Sequence, residues 1–142
     1  MDIERFISAK TPFHQLTAEE RRDLAGRFVA ENVAPGSTDF SIGGEDGAFY
    51  LISEGAVELL GRDGEVLNHI EAGDMFGYRA LLYGESSVSQ ARAAESTTVL
   101  RLDGASFTDL CVRHRPLRRF FDAKRIRARR EAAGRSDSSS VS

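Results

Sequence analysis

The chain has 142 residues and a mass of 15.6 kDa, is 41% hydrophobic and 29% charged, and carries a formal net charge of −3. That is enough apolar material for one core and one ordinary domain. No apolar run approaches the roughly 18 residues needed to span a membrane. The acidic opening Met1-Asp2-Ile3-Glu4-Arg5 lacks a signal-peptide stretch. The single Cys111 excludes an internal disulfide and a Cys-rich zinc site, so the expected location is cytoplasmic.

The first 32 residues read as helical. Ile3, Phe6 and Ile7 recur at helical spacing, Thr11-Pro12-Phe13 interrupts, and Thr17 with Glu20 three residues later forms a capping box for a second helix. Leu24, Ala25 and Phe28 would be its buried face. From Gly36 to Leu102 the pattern changes. Ten of the 13 glycines fall between Gly36 and Gly84 and separate short β-type runs at 49–52, 56–60, 66–70 and 97–102. Such spacing is that of a β-barrel or jelly roll, with Asp63-Gly64 as one hairpin tip. Phe76 to Tyr83 has no alternation and reads as a short helix inserted between strands. After Leu102, Asp103 or Ser106 can cap a helix bearing Phe107, Leu110 and Cys111. A last helix with Leu117, Phe120, Phe121 and Ile126 follows from about Pro116 to Ala133. The expected organisation is one α+β domain over 1–133: helices over about 1–32, a jelly roll over about 33–102 and helices over about 103–133. A polar, low-complexity tail over 134–142 is expected to be disordered.

The spacing Gly36, Gly43, Tyr50, Gly55, followed by Gly73-Asp74-Met75-Phe76-Gly77, resembles the glycine ladder of the cyclic-nucleotide-binding domain family. The resemblance covers roughly residues 6 to 130 and implies a jelly roll whose phosphate-binding cassette holds the nucleotide. The family's cassette reads Phe-Gly-Glu-x-Ala-Leu-Leu, a short gap, then Arg-Ala. A short helix there offers its N-terminal N–H groups to the cyclic phosphate, the Arg adds a charge-assisted contact, and the Glu accepts from the ribose hydroxyl. Phe76, Gly77, Ala80, Leu81 and Leu82 match, whereas Tyr78 stands at the Glu position and Ser87-Val88 at the Arg-Ala positions. Each lost bond to a charged group contributes about 1.5–3 kcal/mol. Together the two losses come to about two to four decades of affinity. Strong cAMP binding is therefore not expected, and no cofactor is implied beyond a cyclic nucleotide or another small anionic ligand. Replacement contacts could come from Arg79 or Arg92, with hydroxyls from Ser86, Ser87 and Ser89 and stacking on Tyr78. The competing reading makes Arg79 an exposed helix residue and the serines a polar loop.

Charge is unevenly placed. Residues 112–135 hold nine arginines and Lys124 against Asp122 and Glu131, a net +8, which leaves −11 on the rest of the chain. A nucleic-acid contact has the charge but lacks interleaved aromatics beyond Phe120 and Phe121 and lacks a helix-turn-helix, so no nucleic-acid partner is expected. By resemblance, the last helix relays ligand state and makes a homodimer. Ile3-x-x-Phe6-Ile7, Pro12-Phe13-x-x-Leu16 and the late Phe120-Phe121 look like a bacterial branch of the family in which such a domain precedes paired cystathionine-β-synthase (CBS) domains and a nucleotidyltransferase region. The length leaves room for a sensor and its relay helix, and none for an output module. His14, His69 and His114 are isolated and form no cupin-like metal set. No catalytic nucleophile has a supporting motif, and Cys111 reads as core. The expected function is regulatory and non-catalytic, with an empty-pocket interaction module or a true cAMP or cGMP receptor as alternatives.

Overall fold

Asp2 opens the first helix, α1 (Ile3–Ser8), by accepting from the Arg5 N–H. The computed structural model describes residues 2–85 and 87–141, with side chains through Glu131. A single 3-10 turn, Phe13–Gln15, leads to α2 (Ala18–Arg27). Its expected capping box is present, with Thr17 Oγ1 accepting from Glu20 N–H at 3.1 Å and Glu20 accepting from Thr17 N–H at 2.8 Å. The helix ends before Phe28, and the expectation of helix to residue 32 is corrected by strand β1 (Val29–Val33). Its five residues pair antiparallel with β7 (Thr97–Asp103), so ladder bonds and β-branched ends override the weaker local helical preference.

The roll continues through β2 (Ala48–Glu54), β3 (Ala56–Leu60), β4 (Val66–Glu71), β5 (Met75–Phe76), the inserted helix α3 (Tyr78–Tyr83) and β6 (Gln90–Ala93). The turn after β3 closes through Gly61 N–H to the Glu65 carbonyl and Gly64 N–H to the Gly61 carbonyl, with Asp63-Gly64 at the tip as expected. Two antiparallel sheets result, ordered β1-β7-β2-β5 and β4-β3-β6. This is the expected α+β jelly roll with helices at both ends.

Strand β2 explains how the layers join. Its alternate residues Ala48, Tyr50 and Ile52 fill the roll interior with Val57, Phe76, Ala91, Ala93 and Val99. Phe49 and Leu51 point the other way, into a second core built by the helices. There Phe49 stacks on Phe107 at 4.4 Å, and Phe121 meets both rings edge-on. Phe107 belongs to α4 (Gly104–Arg113), capped by Asp103 as expected, and Phe121 to α5 (Arg115–Val141). Cys111 is buried in this core, and burial pushes its thiol up to about 12. The reading of 134–142 as a disordered tail falls on residues whose side chains lie outside the described set. Among the described residues no helix is long and apolar enough to cross a membrane.

Candidate functional site

The inserted helix is positioned by two glycines. Gly77 precedes α3 with φ +91°, and a Cβ there would run into the Ala48 carbonyl oxygen, so only glycine lets the cassette lie against β2. Gly84 closes α3 in the left-handed region at φ +65°. The nested bonds Gly84 N–H to the Ala80 carbonyl and Glu85 N–H to the Arg79 carbonyl wrap the chain back over the end of the helix. That ending carries Glu85 back beside Arg79.

Between the cassette, the β4 edge and α5 lies a cavity of about 700 Å³, within the size range of small-molecule sites. Ile42, Leu59, Met75, Phe76 and Val88 supply apolar wall, while Arg79, Lys124, Arg127 and Arg129 face Asp74, Glu85 and Glu131 around it. Of the residues singled out from the sequence, Phe76, Gly77, Tyr78, Arg79, Ala80, Ser87 and Val88 line this cavity. Leu81 packs instead on the helical core. Ser89 is drawn to β3, its N–H donating to the Leu60 carbonyl at 2.9 Å. Ser86 lies outside the described residues.

Arg92 stands elsewhere. Its strand neighbours Ala91 and Ala93 are buried in the roll, so alternation turns Arg92 to the outer face. There it donates to Glu58 at 3.1 Å, directly across the β3–β6 ladder, and it does not line the cavity. Tyr78 borders the cavity but is largely covered. Its ring is only 6% exposed and packs on Phe121 at 5.2 Å, and burial pushes its hydroxyl up.

Arg79 is held rather than free. Its Nε donates to Glu85 at 2.7 Å, and Arg125 from α5 donates to the other oxygen of the same carboxylate. Burial works to raise the Glu85 carboxyl, but the Arg125 and Arg79 hydrogen bonds outweigh it and hold it below the ordinary range. Tyr83, the last residue of α3, extends the link. The Arg125 and Arg118 guanidinium groups lie 4.2 and 5.1 Å from its ring centroid. Its hydroxyl donates to Asp122, which also accepts from Arg118 at 3.0 Å. Burial and that carboxylate push the Tyr83 hydroxyl up to about 12.

Glu85, Arg125, Tyr83 and Lys124 were not singled out from the sequence as site residues. A signal existed for part of this set, since Arg118, Asp122 and Arg125 recur at helical spacing beside the buried Phe121. Among the described residues no group of three His, Cys, Asp or Glu side chains could hold a metal ion.

Comparison with known proteins agrees with this geometry. The profile of the cyclic nucleotide-binding domain matches residues 30–114. An uncharacterised protein of Mycobacterium tuberculosis is 34% identical over 107 residues, which is 75% of this chain and 21% of that protein. The chain thus spans about a fifth of that relative. The Thermus thermophilus catabolite activator protein aligns with a TM-score of 0.69 and 28% identity, over 88% of this chain and 61% of that one. The regulatory subunit of a cAMP-independent protein kinase A from Trypanosoma brucei shares the fold, with a TM-score of 0.71 and 21% identity over 84% of this chain and 44% of that one.

Proposed function

The chain belongs to the cyclic nucleotide-binding domain family, and we propose that within it this is a non-catalytic sensor domain whose altered cassette binds cAMP weakly or not at all. One observation carries the reading. At the position of the ribose-binding carboxylate the chain has Tyr78, folded onto Phe121, and at the position of the phosphate-binding arginine it has Ser87. The nearest cassette cation, Arg79, is already engaged by Glu85. Neither of the two charged contacts of the family's cassette is therefore supplied from its motif position. The trypanosomal subunit, described as cAMP-independent, carries the same fold.

The cavity, with its apolar wall and the cations Arg79, Lys124, Arg127 and Arg129 among the carboxylates of its rim, suits another small anionic ligand, and α5, which closes one side of it, is the element that would report occupancy. Dimerisation through α5, and a place ahead of CBS and nucleotidyltransferase domains in a longer chain, complete the proposal. Calorimetric titration with cAMP, cGMP and cyclic dinucleotides tests it. The expected cAMP dissociation constant is weaker than about 10 μM, and a tighter value would sink the reading. A chain that binds none of them yet elutes as a dimer would instead be a ligand-free interaction module.

A further inference from the structure

The cavity wall contains an anion of its own. Glu85 is fixed opposite Arg79 by the ending of α3, and its second oxygen accepts from Arg125, 40 residues further along the chain. All three side chains are about 70–80% removed from solvent. Arg79 and Glu85 both line the cavity and Arg125 does not, so a phosphate bound there would meet Arg79 first and reach Arg125 only as Glu85 leaves. Two guanidinium groups on one carboxylate form the kind of paired fork that also takes a phosphate.

We propose that Glu85 is the built-in occupant of an anion site formed by Arg79 and Arg125, displaced when a ligand phosphate takes its place, and that this exchange unfastens α5. The inference rests on reading the cavity as a small-anion sensor. It also narrows the ligand class. An incoming anion must hold the two arginines more strongly than the carboxylate already fixed between them. A singly charged cyclic phosphodiester offers no more charge than Glu85 does, and so loses to it. A terminal phosphate or pyrophosphate, carrying two or more negative charges, can hold both arginines more strongly than the carboxylate. Glu85 thereby sets the specificity of the cassette as well as its coupling to the helix.

Inorganic pyrophosphate is the probe, with binding read by calorimetry and α5 read by amide hydrogen exchange over residues 115–131. Glu85→Gln should bind pyrophosphate about tenfold or more tightly than the wild type. Its α5 amides should exchange faster without ligand and respond little to it. In the wild type, saturating pyrophosphate should speed α5 exchange. Equal affinity in the two proteins, no binding to either, or an α5 indifferent to both substitution and ligand would overturn the proposal. Should Glu85→Gln not fold, Arg125→Gln decides the matter, because it keeps the Arg79–Glu85 pair and removes the tie to α5. Its α5 exchange should no longer respond to pyrophosphate, and a wild-type response would overturn the coupling. Tight cAMP binding by the wild type would defeat both the weak-cAMP reading and the claim that a phosphodiester loses to Glu85, whereas the pyrophosphate comparison tests the exchange at Glu85 by itself.

Discussion

At Ser87 the cavity wall carries a hydroxyl where the family's motif carries a guanidinium. Glu85, two residues away, already accepts from two arginines, so a third guanidinium placed at 87 would be left for a ligand. Ser87→Arg combined with Val88→Ala is therefore expected to tighten cAMP binding. One charge-assisted hydrogen bond contributes about 1.5–3 kcal/mol, or about ten- to a hundredfold in the dissociation constant. Calorimetry on the double variant beside the wild type checks this, and an unchanged constant would place the deficit at Tyr78 instead. The altered residues themselves were legible in the sequence, because Phe76-Gly77 and Ala80-Leu81-Leu82 fix the motif's register around them. The role of Glu85 was not. It depends on Arg125 arriving from a distant helix, and no local spacing reports which cation will meet a given carboxylate. Arg92 illustrates the reverse case, a plausible cation by position that strand alternation turns to the outer face.

Helix α5 docks on the roll through Leu117 and Phe121, both at most 1% exposed. Phe121 touches the rings of Phe49, Tyr78, Phe107 and Phe120, so it joins the sheet, the cassette and α4 at one point. Phe121→Ala should cost about 3–5 kcal/mol, the usual range for emptying a buried aromatic site. Ile126→Ala, on the exposed side of the same helix, should stay within about 0.5 kcal/mol. Urea midpoints of the two variants make the comparison, and a similar cost for both would mean that α5 is not anchored by its aromatic face. The helices with caps and the long strands were legible, because Thr17, Asp103 and the apolar runs of β2, β3 and β7 are local signals. The strands less legible or missed are those without such signals. Residues 90–93, Gln-Ala-Arg-Ala, contain no β-branched residue, β5 is two residues long, and β1 is polar at two of its five positions. Each is held in the sheet by its partner strand rather than by its own propensity.

Across the whole molecule the −11 body and the +8 segment constrain how two copies can meet. On α5 the face opposite Leu117 and Phe121 carries Arg115, Arg119, Ile126 and Arg130, all exposed and spaced to share one stripe. The ion pairs of α5 among the described residues, Arg118–Asp122 and Arg125–Glu85, lie to one side of that stripe and do not neutralise it. A symmetric dimer through this face would bring arginine stripes together around one apolar contact, which Coulomb repulsion opposes at low ionic strength. Raising salt from about 0.1 M to about 1 M shortens the screening length from about 10 Å to about 3 Å. The dimer fraction in sedimentation velocity should therefore rise over that interval. Arg119→Glu should strengthen association at low salt by replacing repulsion with cross-pairing. Exposed carboxylates such as Glu19, Asp23, Glu54 and Glu95 offer the opposite arrangement, in which α5 of one copy meets the acidic body of another. That contact would weaken with salt and would be impaired by Arg119→Glu. The sign of the salt response thus decides between a helix-to-helix dimer and a helix-to-body contact.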